Sequence, residues 1–383
     1  MDRDIEFIIF GEDWGRHPSS TQHLISIIAK QYPVYWINSI GLRQPQLQAK
    51  DIRRIIEKLM AFIHRPAITD NEVSPKKLKK IIKPLVWPLA RNKTMKYINK
   101  KLLETQLPQK KHYRVLWIAL PSAIEYIELC QADLIIYYCG DDFSALTGVD
   151  HDKTMQAEQT LSIQADLIYV ANRQLMARFP KHKTHYLPHG VDLRLFQSQH
   201  ACPPAIDKEK KNIGFYGSLN NWLDYDLLQQ LALARPQIQF YLLGNKDCPQ
   251  VQQLQNENIH LLPAIPHHQL VSYVQHWHAA ILPFIKNRQI KMCNPLKLRE
   301  YLAAGCPVIS SDFNAAAEYS PLVSIATTQL EWLSTIDRIT QLTPHQVAEY
   351  KQKAYQCVQH DSWERRIEKI INTIQKIRSS TTE

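Results

Sequence analysis

Residues 281–311 read ILPFIKNRQIKMCNPLKLREYLAAGCPVISS. An apolar run over 281–284 gives way to a polar, basic loop that ends at Asn294-Pro295. Asparagine is a good helix N-cap, and proline suits the first helical position because its missing N–H would be unpaired there anyway. A helix is therefore expected over 295–304, with Gly305 as its stop. A second short apolar run, PVISS (307–311), follows. Strand, loop, helix and strand in this order form the repeating unit of a parallel sheet covered by helices. In open sheets of this kind, ligands sit beyond the carboxyl ends of the strands, where helix N-termini aim unpaired N–H groups at anions. Lys297 adds a full positive charge in the first turn, and Glu300, three residues on, shares its face. A helix end so equipped can hold a diphosphate without a metal, while the carboxylate accepts hydrogen bonds from the two hydroxyls of a ribose. The plain alternative is an amphipathic helix on which Lys297 and Glu300 form a surface pair.

The same alternation extends outward in both directions. Upstream, NIGFYG (212–217), IQFYLLG (238–244) and IHLLPA (259–264) read as strands followed by helices near 223–234, 248–257 and 267–277. Gly217-Ser218 ends the first of these strands, and a small residue there lets the backbone approach a phosphate closely. A tight strand-to-helix turn would need a glycine as well. Earlier still, IEFIIF (5–10), VYWIN (34–38), RVLWIAL (114–120), DLIIYY (133–138), DLIYVA (166–171) and THYLP (184–188) form a first series. Two doubly wound units in series follow, as the chain's 383 residues already suggest, since one core rarely organises so many. The polar, proline-containing stretch around 197–210 reads as the linker. The expected division is 1–200, 205–360 and a C-terminal helix over 361–383.

The pattern Asn-Pro-x-Lys-x-x-Glu-Tyr-x-Ala-x-Gly-x-Pro-Val resembles the donor-binding helix of glycosyltransferases with the GT-B fold, in particular those of bacterial capsule, exopolysaccharide and teichuronic-acid synthesis. The resemblance implies two facing Rossmann-like domains with a cleft between them and a C-terminal helix that crosses back onto the first, as the Ser362-Trp363 start suggests. It also implies a nucleotide-sugar donor, UDP-linked, held by Gly217, Ser218, Asn294, Pro295, Leu296, Lys297 and Glu300. No metal or other cofactor is implied. Many retaining members carry a further glutamate eight residues before the ribose-binding one, where this chain has Met292, so the stereochemistry stays open.

For the acceptor side, the loop GEDWGRHPSSTQHL (11–24) offers Arg16 and His17 as contacts to a lipid-linked or saccharide acceptor. Ser19 and Ser20 fit helix capping equally well. A sugar hydroxyl is a poor nucleophile, and an inverting transfer needs a general base. Asp141 and Asp142, directly after a strand in YYCGDDFSALTG (137–148), are the candidates, with Glu158 a lesser one. His189 in LPHGVDLRLF (187–196) is a candidate donor contact, and Gly190 is expected to take a positive φ. Trp222, Asp224 and Trp363 read as packing or capping residues.

The charge is uneven. The chain carries a net +10, yet 50–111 alone holds 17 Lys and Arg against five Asp and Glu. Within the insertion at about 41–110, residues 73–103 intermix lysines with Ile, Leu, Val and Trp. This reads as an amphipathic helix attracted to an anionic membrane surface, interrupted by Pro84 and Pro88. With no recognised motif and the charge confined to one insertion, nucleic acid is not an expected partner. Seven scattered cysteines suit a reducing compartment. No run approaches the ~20 apolar residues of a membrane span, and the first residues lack a secretory signal. The expected place is the cytoplasmic membrane's inner face. A non-catalytic membrane scaffold and a nucleotide-sugar epimerase are the competing readings.

Overall fold

The computed structural model describes residues 4–15, 19–40, 77–84, 92–143 and 149–382. The chain divides into two compact units, Met1–Pro188 with Ile370–Glu383, and His189–Lys369. The polar stretch 197–210 falls in the second unit, whose core includes Ile206.

In the first unit, the strands are β1 (Ile5–Phe10), β2 (Val34–Ile37), β3 (Leu78–Ile82), β4 (Tyr113–Ile118), β5 (Leu134–Cys139), β6 (Leu167–Val170) and β7 (Thr184–Tyr186). They pair in the order β3-β2-β1-β4-β5-β6-β7, with every pairing parallel. All six residues of β1 are buried, as a parallel strand covered on both faces requires. Glu6 lies on β1 and is 1% exposed. Its neighbour across β4, Arg114, donates from Nε at 2.7 Å and spends its other nitrogens on the carbonyls of Cys130 and Pro108. The buried pair is thus saturated with partners, the condition under which such a pair is tolerated.

The basic insertion departs from the sequence expectation. Leu78–Ile82 is an edge strand, not part of an interfacial helix, and it leaves Lys79 and Lys80 exposed. Lysines on an edge strand block further pairing. The helix starts only at Lys93, where Asn92 Oδ1 caps Met95 N at 2.7 Å, and runs to Glu104. Residues 73–76 and 85–91 lie outside the described part of the chain.

In the second unit, β8 (Lys211–Tyr216), β9 (Ile238–Leu243), β10 (Ile259–Leu262), β11 (Ala279–Leu282), β12 (Val308–Ser310) and β13 (Val323–Ile325) pair in parallel as β10-β9-β8-β11-β12-β13. The strand order reverses between β8 and β11, so the crevice beyond their carboxyl ends is the natural ligand position. Helix starts are capped locally: Asp224 accepts from Leu227 N at 2.9 Å, and Thr328 with Glu331 and Thr343 with Gln346 form capping boxes.

Gly214, in the middle of β8, has a packing role. A Cβ there would lie 1.9 Å from the Trp277 indole. Gly214→Ala is expected to destabilise the protein by about 3 kcal/mol, read as a lowered urea midpoint with an unchanged slope.

Candidate donor site and acceptor-side carboxylates

The helix Leu296–Ala303 begins one residue later than the sequence suggests. Pro295 is the N-cap and makes no side-chain capping bond. Asn294 Oδ1 instead accepts from Arg299 Nη1 at 2.7 Å. Arg299 is 2% exposed, its Nε lies 3.8 Å from Asp361 Oδ2, and Asp361 also pairs with Arg366 and accepts from the Tyr319 hydroxyl. Asn294 is therefore held by a buried arginine, which fixes the loop entering the helix. The far end matches expectation. Gly305 takes φ +74, and the bonds Cys306 N to Tyr301 O and Gly305 N to Leu302 O, both 3.0 Å, complete a Schellman stop.

Lys297 occupies the carboxyl end of β8. Its Nζ stands 4.3 Å from the centre of the Phe215 ring and 6.0 Å from that of Phe284. A Cβ on Gly217 would meet that nitrogen at 2.2 Å, and Gly217 adopts φ +133, so only glycine fits on both counts. Among the described residues no carboxylate lies within ion-pairing distance of Lys297. Burial pulls its pKa down to about 8, against a smaller opposing influence from Cys293 and Glu300. Ser218 Oγ donates to Asp247, and Leu219 pairs with Asn245 and Asp247, which knits the loop after β8 to that after β9.

Glu300 is 6% exposed. Its Oε2 accepts from the Tyr216 hydroxyl, and its Oε1 lies 2.7 Å from His267 Nε2. The sequence placed His267 only as a helix start and gave Tyr216 no role. No local signal links residues 33 and 84 positions away from Glu300; the topology does. Leu296 is half-buried in the first turn. His189 is 7% exposed, and the next residue does not take a positive φ as expected. Gly190 is required because a Cβ there would come within 2.6 Å of the Trp363 ring.

In the first unit the two aspartates separate by environment. Asp142 is 2% exposed and accepts from Arg178 Nη1 at 2.6 Å. Arg178 also pairs with Glu158, which accepts from the Tyr137 hydroxyl at 2.8 Å. Both Asp142 and Glu158 are thereby committed to one guanidinium. Asp141 has no cation partner among the described residues. Its Oδ1 accepts from Asp142 N at 2.8 Å, and burial raises its pKa to about 6. Ser19 caps the helix Ser20–Ile28 by accepting from Gln22 N, and its hydroxyl donates to Glu12 at 2.9 Å. Burial raises the pKa of Glu12, a residue the sequence did not single out. Arg16 and His17 lie outside the described residues. Among the described residues, no three His, Cys, Asp or Glu side chains cluster to hold a metal ion.

Residues 210–327, which contain Gly217, Lys297 and Glu300, match the family model "Glycosyl transferases group 1". The matched segment spans strands β8 to β13 and the helix that carries Lys297 and Glu300. A Bacillus subtilis (strain 168) protein named as a teichuronic acid biosynthesis glycosyltransferase, TuaH, is 24% identical over 224 residues, 53% of this chain and 56% of that one. The chain therefore matches little more than half the length of this curated relative. Among solved structures, sucrose-phosphate synthase from Thermosynechococcus elongatus aligns over 98% of this chain and 99% of its own, with TM-score 0.69 and 14% identity. Anabaena Alr3699/HepE in complex with UDP and glucose aligns over 97% and 99%, with TM-score 0.67 and 11% identity. The fold is GT-B: two Rossmann-like units with parallel sheets of seven and six strands.

Because the folded pKa of Asp141 lies above that of an unfolded aspartate, protonation favours the folded state. Its contribution is present at low pH and is lost as pH rises through about 6. Asp141→Asn is expected to be more stable than wild type above pH ~7, by up to about 3 kcal/mol, and to lose that advantage towards pH ~4. Melting temperatures of the two proteins across that range check it.

Proposed function

We propose that the protein transfers a sugar from a UDP-linked donor to a lipid-linked or growing saccharide acceptor in bacterial surface polysaccharide synthesis. The observation that carries this reading is Lys297. A desolvated ammonium with no carboxylate within ion-pairing distance among the described residues, at a helix start and against a glycine at the strand-order reversal, is suited to a diphosphate. Glu300, three residues on, takes the ribose. The HepE structures with UDP and with UDP-glucose support the choice of nucleotide, and the name of the TuaH relative supports the choice of pathway class.

The acceptor oxygen attacks the anomeric carbon, the bond from that carbon to the diphosphate oxygen breaks, and UDP leaves with the electron pair. Lys297 and the helix N-terminus neutralise the charge that develops on the diphosphate, so that no metal is needed. In an inverting transfer the acceptor's proton passes to Asp141, because Asp142 and Glu158 are held by Arg178. A base with a pKa near 6 is matched to this task at neutral pH.

The membrane side of the proposal rests on the first unit's basic surface. On the helix Lys93–Glu104, Tyr97, Ile98 and Leu102 are exposed among Lys93, Lys96 and Lys101, a combination suited to an anionic interface. No described helix is long and apolar enough to cross a membrane.

Isothermal titration with UDP in the presence of EDTA tests the donor site. Glu300→Gln and Lys297→Met are each expected to weaken binding roughly 10- to 100-fold while circular dichroism stays unchanged. Unaltered affinity in both variants overturns the assignment. A diphosphate beside Lys297 favours its charged form, so binding above pH ~8 takes up a proton and affinity falls about tenfold per pH unit. Lys297→Arg removes this dependence.

A further inference from the structure

The donor site contains a device beyond the carboxylate itself. Glu300 sits on the helix Leu296–Ala303, and each of its oxygens meets a donor from a different element. Tyr216, the last residue of β8, reaches Oε2 with its hydroxyl, and His267, the first residue of the helix His267–Val274, faces Oε1 at 2.7 Å through Nε2. A nitrogen that close to a carboxylate oxygen carries its proton, so His267 donates.

Both donors are themselves fixed. The Tyr216 ring meets Tyr301 edge-on at 4.9 Å and lies 6.4 Å from Trp277, and its backbone N–H donates to the Tyr301 hydroxyl at 3.1 Å. Burial raises the Tyr216 pKa far above its ordinary value, which keeps the hydroxyl protonated and donating. His267 packs edge-on against Phe196 at 5.7 Å.

The terminal torsion of a glutamate is broad and two-fold, so a lone carboxylate does not hold a plane. Two donors, one per oxygen, lock it. A vicinal diol is read by both oxygens of a carboxylate together, and only a carboxylate of fixed plane distinguishes two hydroxyls from one.

We infer that His267 and Tyr216 are positioning residues that lock the Glu300 carboxylate and thereby set the preference for ribonucleotide over 2′-deoxyribonucleotide donors. This inference rests on the donor-site reading above and adds a specificity to it. The test is the ratio of dissociation constants for UDP and 2′-deoxy-UDP, measured by titration calorimetry on the full chain. Wild type is expected to prefer UDP by about tenfold or more. His267→Ala and Tyr216→Phe are expected to bring the ratio down to about threefold or less, and His267→Gln, which keeps an N–H donor, to restore most of it. Tyr216→Phe deletes one oxygen from a packed ring, so it keeps the test open if His267→Ala fails to fold. UDP binding by wild type with an unchanged ratio in the variants overturns this inference alone, as does equal weakening of both nucleotides. Absence of UDP binding by wild type overturns the donor-site reading and this inference with it.

Discussion

A primary ammonium placed against aromatic rings, with no carboxylate within ion-pairing distance among the described residues, is an expensive arrangement, because burial penalises the charged form. Lys297 is held in that arrangement by the backbone. Phe215 lies under it, Gly217 leaves the space its Nζ occupies, and the helix Leu296–Ala303 delivers it there. The rest of the candidate donor site is arranged around this cost. Arg299, buried one turn from the helix start, holds Asn294 and leans on Asp361, so the entry loop is tied to the interior of its own unit. Gly244 repeats the logic at β9, where a Cβ would strike the Gly217 carbonyl at 1.9 Å. Small residues at two adjacent strand ends let the turn after β8 lie flat against its neighbour.

The candidate carboxylates of the first unit follow a complementary principle. One guanidinium, Arg178, is shared between Asp142 and Glu158, and the Tyr137 hydroxyl adds a further donor to Glu158. Asp141 is left with a backbone N–H and a raised pKa. Two adjacent residues of the same type thus differ in kind: one is part of the scaffold and the other can exchange a proton near neutrality.

How much of this was legible in the sequence depended on how local the cause was. Continuous apolar runs such as IEFIIF and IQFYLL mark parallel strands wherever they occur, because both faces are covered. The stop at Gly305 was equally plain, since the Schellman bonds span only six residues. The strand Leu78–Ile82 was hidden, because its lysines resemble a helix's polar face until the neighbouring β2 is known. Whether Asp141 or Asp142 carries the free carboxylate turns on Arg178, 36 residues from Asp142. Gly190 was read as a turn glycine when its reason is the indole of Trp363, 173 positions on. Single-residue roles in the site were legible as types and positions; their pairings belong to the topology.

The division of the chain has a consequence for biosynthesis. Unit one needs Ile370–Glu383 from the far end of the chain, whereas His189–Lys369 is continuous. Domains ordinarily finish folding in the order in which they leave the ribosome. Here that order is inverted: the second unit can be complete while the first, although translated earlier, still waits for its closing segment. All seven strands of that unit lie within Met1–Pro188, and the late helical segment brings Thr373 to Tyr169 on β6, so what the early sheet waits for is the cover at its β6–β7 end.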